Sequence, residues 1–195
     1  QATTLRVTAN GYAIHLRRSD VQLAVRDLVA TYTAMLTTYA ARGSYPVNSA
    51  LELRVTALDD PATVGVAGAE SPVISALSQD ATDRANGWDV AVWFDVLTIP
   101  NTPGSDQFYA ELETWLVSRF SGTAGRLLPE WSKGWAYTAA GGAWTSTDFL
   151  AHIRSTLSDG RSSSDDWAWE AATLKGLDAA GLFENRFLTT LFGTT

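Results

Sequence analysis

Cysteine is absent from this chain of 195 residues, and histidine occurs only as His15 and His152. Without cysteine the chain can form no disulfide, hold no metal through cysteine and offer no thiolate nucleophile. The two histidines lie far apart in sequence, and neither belongs to a metal-ligand spacing such as HExxH. We therefore expect this chain to bind no metal.

Positive charge is also scarce. The chain has 14 Lys and Arg against 21 Asp and Glu, a net charge of −7 at pH 7, and lysine is found only at Lys133 and Lys175. Such a chain lacks the basic surface that neutralises phosphates, which argues against a nucleic-acid partner. The same deficit argues against electrostatic docking on anionic lipid.

Several sequence motifs are missing as well. No GxGxxG follows a strand pattern, and there is no Walker loop or GxSxG elbow, so the chain has no phosphate cradle of its own. No apolar run is long enough to span a bilayer. The first residues contain neither an initiator methionine nor a signal peptide, and we expect the chain to be cut from a longer protein.

Tryptophan, in contrast, occurs eight times. So many large, flat side chains are typical of packing around an apolar ligand or of an interface. An aromatic-rich core is the simpler interpretation.

The first sixteen residues predict a β-hairpin. Residues 5–9 and 12–16 alternate in polarity on either side of Asn10-Gly11, a dipeptide typical of hairpin turns. His15 falls on the polar phase of its strand and is predicted to lie at the surface.

The remaining patterns predict an α+β fold: an antiparallel sheet with helices packed on one face and a partly polar, aromatic second face. A capping box of Ser19 and Gln22 begins the first helix. Residues 60–87 are predicted to be a loop and the least structured part of the chain. The predicted helices cover 19–43, 106–120, 147–157 and 164–174, and the predicted strands cover 46–58 and 88–98.

The strand at 46–58 combines an apolar and a charged face. Alternation places Leu51, Leu53 and Val55 on the core side and Glu52 and Arg54 side by side on the other. A solvent-facing ion pair is the simpler interpretation of these two charges. The strand at 88–98 has a similar polar face, which carries Trp93 and Asp95.

A third charged group lies among aromatic residues. Lys133 stands between Trp131 and Trp135, three residues after Glu130. A lysine in apolar surroundings is costly unless it is paired, and Glu130 is within reach as a partner. A surface lysine whose stem lies over a tryptophan is the alternative.

Taken together, these stretches resemble the C-terminal, substrate-binding part of an FAD-dependent cholesterol oxidase of the vanillyl-alcohol-oxidase type. The likeness extends over nearly the whole chain in the expected order. The residues that carry it are 52–61 (ELRVTALDDP), 88–98 (WDVAVWFDVLT), 129–136 (PEWSKGWA) and 182–188 (LFENRFL).

The resemblance implies that the polar sheet face covers the flavin and the substrate. FAD would be held mainly by an N-terminal domain absent from this chain, and the segment at about 176–195 would return toward that domain. The implied catalytic residues are Glu52, Arg54, Glu130 and Lys133, and the implied substrate- or flavin-facing residues are Trp93, Asp95, Trp131, Trp135 and Asn48.

The implied reaction oxidises the hydroxyl of a sterol to a ketone and reduces O2 to H2O2, with double-bond isomerisation as an additional step. The chain alone would be inactive. The resemblance also implies a secreted or cell-surface bacterial protein. Three alternatives stay open from the residues alone: an oxidase of a non-sterol alcohol, a stand-alone binding module for apolar ligands, and a structural domain with an exposed aromatic patch.

Overall fold

A computed structural model describes residues 6–193. Four strands form one antiparallel sheet in the order β2-β3-β1-β4. The predicted α+β fold with an antiparallel sheet is confirmed. The strands are β1 (Thr8–Leu16), β2 (Leu51–Ala57), β3 (Val90–Thr98) and β4 (Arg126–Pro129), and the helices are α1 (Val21–Ala40), α2 (Ala81–Asn86), α3 (Ser105–Arg119), α4 (Thr147–Ser158), α5 (Trp167–Leu177) and α6 (Arg186–Phe192).

One face of the sheet carries the core. Helices α1 and α3 pack on it through edge-to-face aromatic contacts, in which Tyr32 of α1 meets Phe94 of β3 at 6.4 Å and Phe108 of α3 at 6.0 Å. Helix α4 joins this core through Phe149, 5.9 Å from Tyr12 of β1. Within residues 6–193, no helix is both long and apolar enough to cross a membrane.

The predicted hairpin at the start of the chain is wrong. Residues Thr8–Leu16 form one uninterrupted strand, in which Asn10 pairs with Val96 and Gly11 with Asp95. Long-range pairing with β3 overrides the turn preference of Asn-Gly, because both edges of β1 are hydrogen-bonded to neighbouring strands. Leu5, at the start of the predicted hairpin, lies outside the described residues.

The prediction that His15 lies at the surface is also wrong, because its side chain is fully buried. Its Nδ1 lies 2.9 Å from Oδ1 of Asp83, and its Nε2 lies 2.8 Å from the carbonyl oxygen of Ala76. Both ring nitrogens thus lie within hydrogen-bond distance of oxygen atoms. The segment 58–87 covers this end of the second face, the face opposite α1 and α3.

The segment 60–87 is therefore more structured than predicted. Asp80 and Asp83 form a capping box that begins α2, and both carboxylates are buried. Arg126 of β4 donates to both carboxylates and to the carbonyl of Thr156. This ionic network fastens the segment to the sheet and to α4.

Two smaller predictions also differ from the structure. The Ser19–Gln22 capping box does not form, because the residue before α1 is Asp20 and its side chain makes no capping bond. Val55 was predicted to be core but is 52% exposed. It belongs to β2, an edge strand that the helices cover only in part.

We expect Asp83→Asn to destabilise the chain by about 3 kcal/mol, because it removes the carboxylate that His15 and Arg126 share in a buried site. Burial raises the pKa of Asp83, but its hydrogen bond and charge interaction with His15, and the charge of Arg126, outweigh that effect and lower the pKa. This carboxylate therefore stabilises the fold above its ordinary pKa of 3.8, and the stabilisation is lost as the pH falls through the lower folded value.

Urea unfolding of the isolated chain, followed by tryptophan fluorescence at several pH values, measures both effects. The matched control is Asp89→Asn, which breaks an exposed pair with Arg18 and should change little. Equal losses for the two variants would contradict the account.

Candidate functional site

Strand register brings three carboxylates into one row across the second face. Glu52 of β2 pairs with Asp95 of β3, and Asp95 pairs with Gly11 of β1. The amide of Glu130, just beyond β4, donates to the carbonyl of Gly11 over 3.0 Å. Residues that oppose one another in antiparallel strands share a face, so these three acidic side chains gather at one end of the sheet.

Arg54 lies at the centre of these carboxylates. Its Nη2 is 2.6 Å from Oδ2 of Asp95 and 3.7 Å from Oε2 of Glu130, and its Nε is 3.3 Å from Oε1 of Glu52. The guanidinium carbon also lies 5.5 Å from the ring centre of Trp93, within cation–π range. Pairing of Glu52 with Arg54 was predicted from strand alternation, and the structure adds two more carboxylates to the pair.

We call Glu52, Arg54, Asp95, Glu130 and Lys133 the Arg54 cluster. It contains three carboxylates and two cations, and it is open to solvent: the side chains of Glu52 and Arg54 are 47% and 45% exposed. This exposure distinguishes the Arg54 cluster from the buried network of His15, Asp83 and Arg126 at the other end of the same face.

Asp95 is the buried member of the cluster, with none of its side chain exposed. Burial raises the pKa of its carboxyl, and the hydrogen bond and charge of Arg54 offset only part of this effect. Its Oδ1 has no hydrogen-bond partner within residues 6–193. Buried acceptors are seldom left without a donor, so this oxygen marks a place where another group would be favourable.

Gly11 was not recognised from the sequence as part of the site. A Cβ at this position would overlap Oδ1 of Asp95 and lie 2.7 Å from Cγ of Lys133. The missing side chain therefore lets Asp95 and Lys133 cross over β1. An isolated glycine inside a strand is a signal of such a close approach, but the hairpin interpretation concealed it.

The segment 130–137 carries Glu130 and Lys133. Oγ of Ser132 donates to Oε1 of Glu130 over 2.7 Å, and the Lys133 amide donates to the Glu130 carbonyl over 3.0 Å. Trp131 is half-buried and donates from Nε1 to the carbonyl of Ile74 over 2.5 Å. This bond ties the segment to the cover formed by 58–87.

Two predicted substrate- or flavin-facing residues lie elsewhere. Trp135 is fully buried among aromatic residues, with Trp131 at 5.3 Å and Phe149 at 6.2 Å, so it has no surface to present to an outside ligand. The amide of Asn48 bonds to residues at the end of β3 and in the following loop, and these bonds occupy its polar atoms. Its partners are Thr98, Ile99 and Thr102.

Glu113 on α3 was also missed. It is 4% exposed, and its Oε2 accepts hydrogen bonds from the hydroxyl of Tyr12 over 2.5 Å and from the amide of Ala136 over 2.6 Å. Burial raises its pKa to about 7, although these bonds act in the opposite direction. Glu113 follows the buried Tyr109 by four residues, so helical periodicity places it on the core side of α3.

A family model described as "Cholesterol oxidase, substrate-binding" matches residues 1–193. This chain belongs to that family. The resemblance predicted from the sequence is confirmed, and the α+β sheet is that of a cholesterol oxidase substrate-binding domain. Among the described residues, no group of three or more His, Asp or Glu side chains is arranged to hold a metal.

Solved structures agree with the family. The chain is 39% identical to a solvent-stable cholesterol oxidase, with a TM-score of 0.92 over 97% of this chain. It is 33% identical to cholesterol oxidase from B. sterolicum, with a TM-score of 0.90 over 98% of this chain. It spans 35% of the length of each of these proteins. A search of curated protein sequences found no match.

We expect Gly11→Ala to destabilise the chain by about 1–3 kcal/mol, because the added methyl group must displace Asp95 or Lys133. Gly176→Ala in α5 is the control, since a Cβ there meets nothing within 4 Å. Alanine favours helix over glycine, so the control should be neutral or slightly stabilising. Urea unfolding of both variants measures the difference, and a neutral Gly11→Ala would show that the close approach at Gly11 is absent.

Proposed function

We propose that this chain is the substrate-binding portion of an FAD-dependent oxidase that converts the hydroxyl of a cholesterol-like sterol to a ketone. The observation that carries the proposal is the Arg54 cluster on the open half of a sheet that belongs to the cholesterol oxidase substrate-binding family. The rest of the enzyme, including the domain that holds most of FAD, lies outside this chain. The chain alone is inactive.

The chemistry of the cluster fits the edge of a flavin ring. That edge presents carbonyl oxygens, which Arg54 and Lys133 can bind as donors. Bound FAD would supply the redox chemistry, in which a hydride leaves the alcohol carbon and O2 gains its two electrons and proton together with the hydroxyl proton to become H2O2. Arg54 and Lys133 would stabilise negative charge at this edge from fixed positions.

A carboxylate of the cluster accepts the proton of the sterol hydroxyl. We assign this role to Glu130, because Asp95 has no exposed side-chain surface and the side chain of Glu130 is 17% exposed whereas that of Glu52 is 47% exposed. A less hydrated carboxylate near the reacting hydroxyl is the better general base. The same carboxylate could move a proton during double-bond isomerisation of the product.

The end of the chain supports contact with the flavin-binding domain. Helix α6 packs within this chain, where Phe187 lies 4.8 Å from Trp144 and Phe192 lies 5.1 Å from Trp167. The residues before it are different: Leu177, Leu182 and Phe183 are 75–81% exposed. Since large apolar groups clustered at a surface are typical of an interface, we assign this segment to the contact with the missing domain.

The first test is peroxide release by the intact protein that contains this chain, given cholesterol and a panel of non-sterol alcohols. Peroxide with cholesterol is the expected result. Peroxide with only the non-sterol alcohols would support an oxidase but contradict a sterol substrate. A colourless protein that releases no peroxide would overturn the proposal and favour a binding module for apolar ligands.

We expect Arg54→Ala in the intact protein to slow flavin reduction by cholesterol or reoxidation by O2 roughly a hundredfold, because a fixed charge at the reacting centre is lost. Stopped-flow absorbance measures the two half-reactions separately. Arg18→Ala, which removes an exposed arginine paired with Asp89, is the control and should leave both rates unchanged. Unchanged half-reactions in Arg54→Ala would remove Arg54 from the mechanism.

A further inference from the structure

A buried carboxylate lies beneath the segment that carries Lys133. Glu113 is on the helix side of the sheet and makes no contact with the Arg54 cluster. Its Oε2 accepts hydrogen bonds from the hydroxyl of Tyr12 over 2.5 Å and from the amide of Ala136 over 2.6 Å. Burying a carboxylate costs free energy that burying an apolar residue of similar size would not. We therefore attribute the presence of this carboxylate to the hydrogen bonds that it accepts.

Ala136 has a strained backbone. Its φ is 56°, in the left-handed region that is unfavourable for a residue with a Cβ. Such a conformation persists only where the surroundings enforce it. The bond from its amide to Glu113 is one such constraint, and the bonds that its carbonyl accepts from the amides of Thr145 and Ser146, at 2.8 Å and 2.9 Å, are the others.

The constraint at Ala136 extends to Lys133 through Gly134. The amide of Gly134 donates to the carbonyl of Ala9 over 2.6 Å, and its carbonyl accepts the amide of Gly11 over 3.0 Å. The backbone is thus held to α3 at Ala136 and to β1 at Gly134. Lys133, the next residue back along the chain, lies over Gly11 beside Asp95.

We propose that Glu113 is a positioning residue that sets the place of Lys133 in the Arg54 cluster. Its carboxylate fixes Ala136 in the left-handed conformation, and the two-residue connection through Gly134 directs the Lys133 side chain across β1. The inference rests on the proposed function, because Lys133 is one of the two cations assigned to the flavin edge.

A double-mutant cycle in the intact, flavin-loaded protein tests this coupling. Stopped-flow flavin reduction by cholesterol is measured for wild type, Glu113→Ala, Lys133→Ala and the double variant. We expect Glu113→Ala to slow reduction roughly tenfold or more, because a displaced charge no longer matches the reacting geometry. The double variant should then be no slower than Lys133→Ala alone, whereas a general structural defect would add its full effect.

The control for the cycle is Glu111→Gln, which neutralises an exposed carboxylate on the same helix and should leave the rate unchanged. Glu113→Gln is the second variant, since its amide oxygen can still accept the Ala136 amide. If Glu113→Ala does not fold, Glu113→Gln takes its place in the cycle, with a smaller loss and the same non-additivity expected. Loss of rate by either variant in the Lys133→Ala background would overturn the proposal.

Hydrogen exchange gives a readout that needs no activity. Mass spectrometry of peptides that cover 130–137 should show faster exchange in Glu113→Ala than in wild type, and no change in Lys133→Ala. Unchanged exchange in Glu113→Ala would overturn the positioning role. Absence of cholesterol oxidation by wild type would instead defeat the proposed function, and the exchange result would still decide whether Glu113 holds this segment.

Discussion

Antiparallel pairing of β1 with β3 places Gly11 opposite Asp95, and the candidate site depends on this register. A strand that slipped by one residue would turn every side chain to the other face. It would bring Asn10 or Tyr12 opposite Asp95 and remove the gap through which Asp95 and Lys133 cross β1. The register of the sheet therefore determines the geometry of the site. The segment 130–137 places Lys133 over Gly11 within that geometry.

The second face of the sheet uses the same chemical groups in two ways. At one end His15, Asp83 and Arg126 are buried and satisfy one another. At the other end Arg54 is half-exposed and Asp95 keeps a buried oxygen without a donor in the described chain. Groups that are fully paired hold a structure together, whereas groups left partly unpaired at a surface are suited to bind a further molecule.

The sequence predicted the parts of the fold that depend on local periodicity. The strand at 88–98 and the helix at 106–120 correspond to β3 and α3 within two residues. Alternation along β2 and β3 also placed Glu52, Arg54 and Asp95 on one face, which the structure shows. These predictions succeed because side-chain direction in a strand follows from position alone.

The errors arise where distant parts of the chain decide the outcome. Asn10-Gly11 has the local preference of a turn, but pairing with β3 extends the strand through it. His15 was predicted to face solvent because the polar side of a strand usually does. The segment 58–87 covers it instead. The role of Glu113 depends on its contact with Ala136, 23 residues later in the chain, and no local pattern reports such a contact.

We propose that the open end of the second face covers a flavin held by another domain. The most direct measurement is oxidative footprinting of Trp93 by mass spectrometry, comparing the isolated chain with the intact, flavin-loaded protein. Trp169, which is 43% exposed on α5, serves as the internal reference. The account predicts that Trp93 is protected in the intact protein relative to Trp169, and equal labelling of Trp93 in both samples would contradict it.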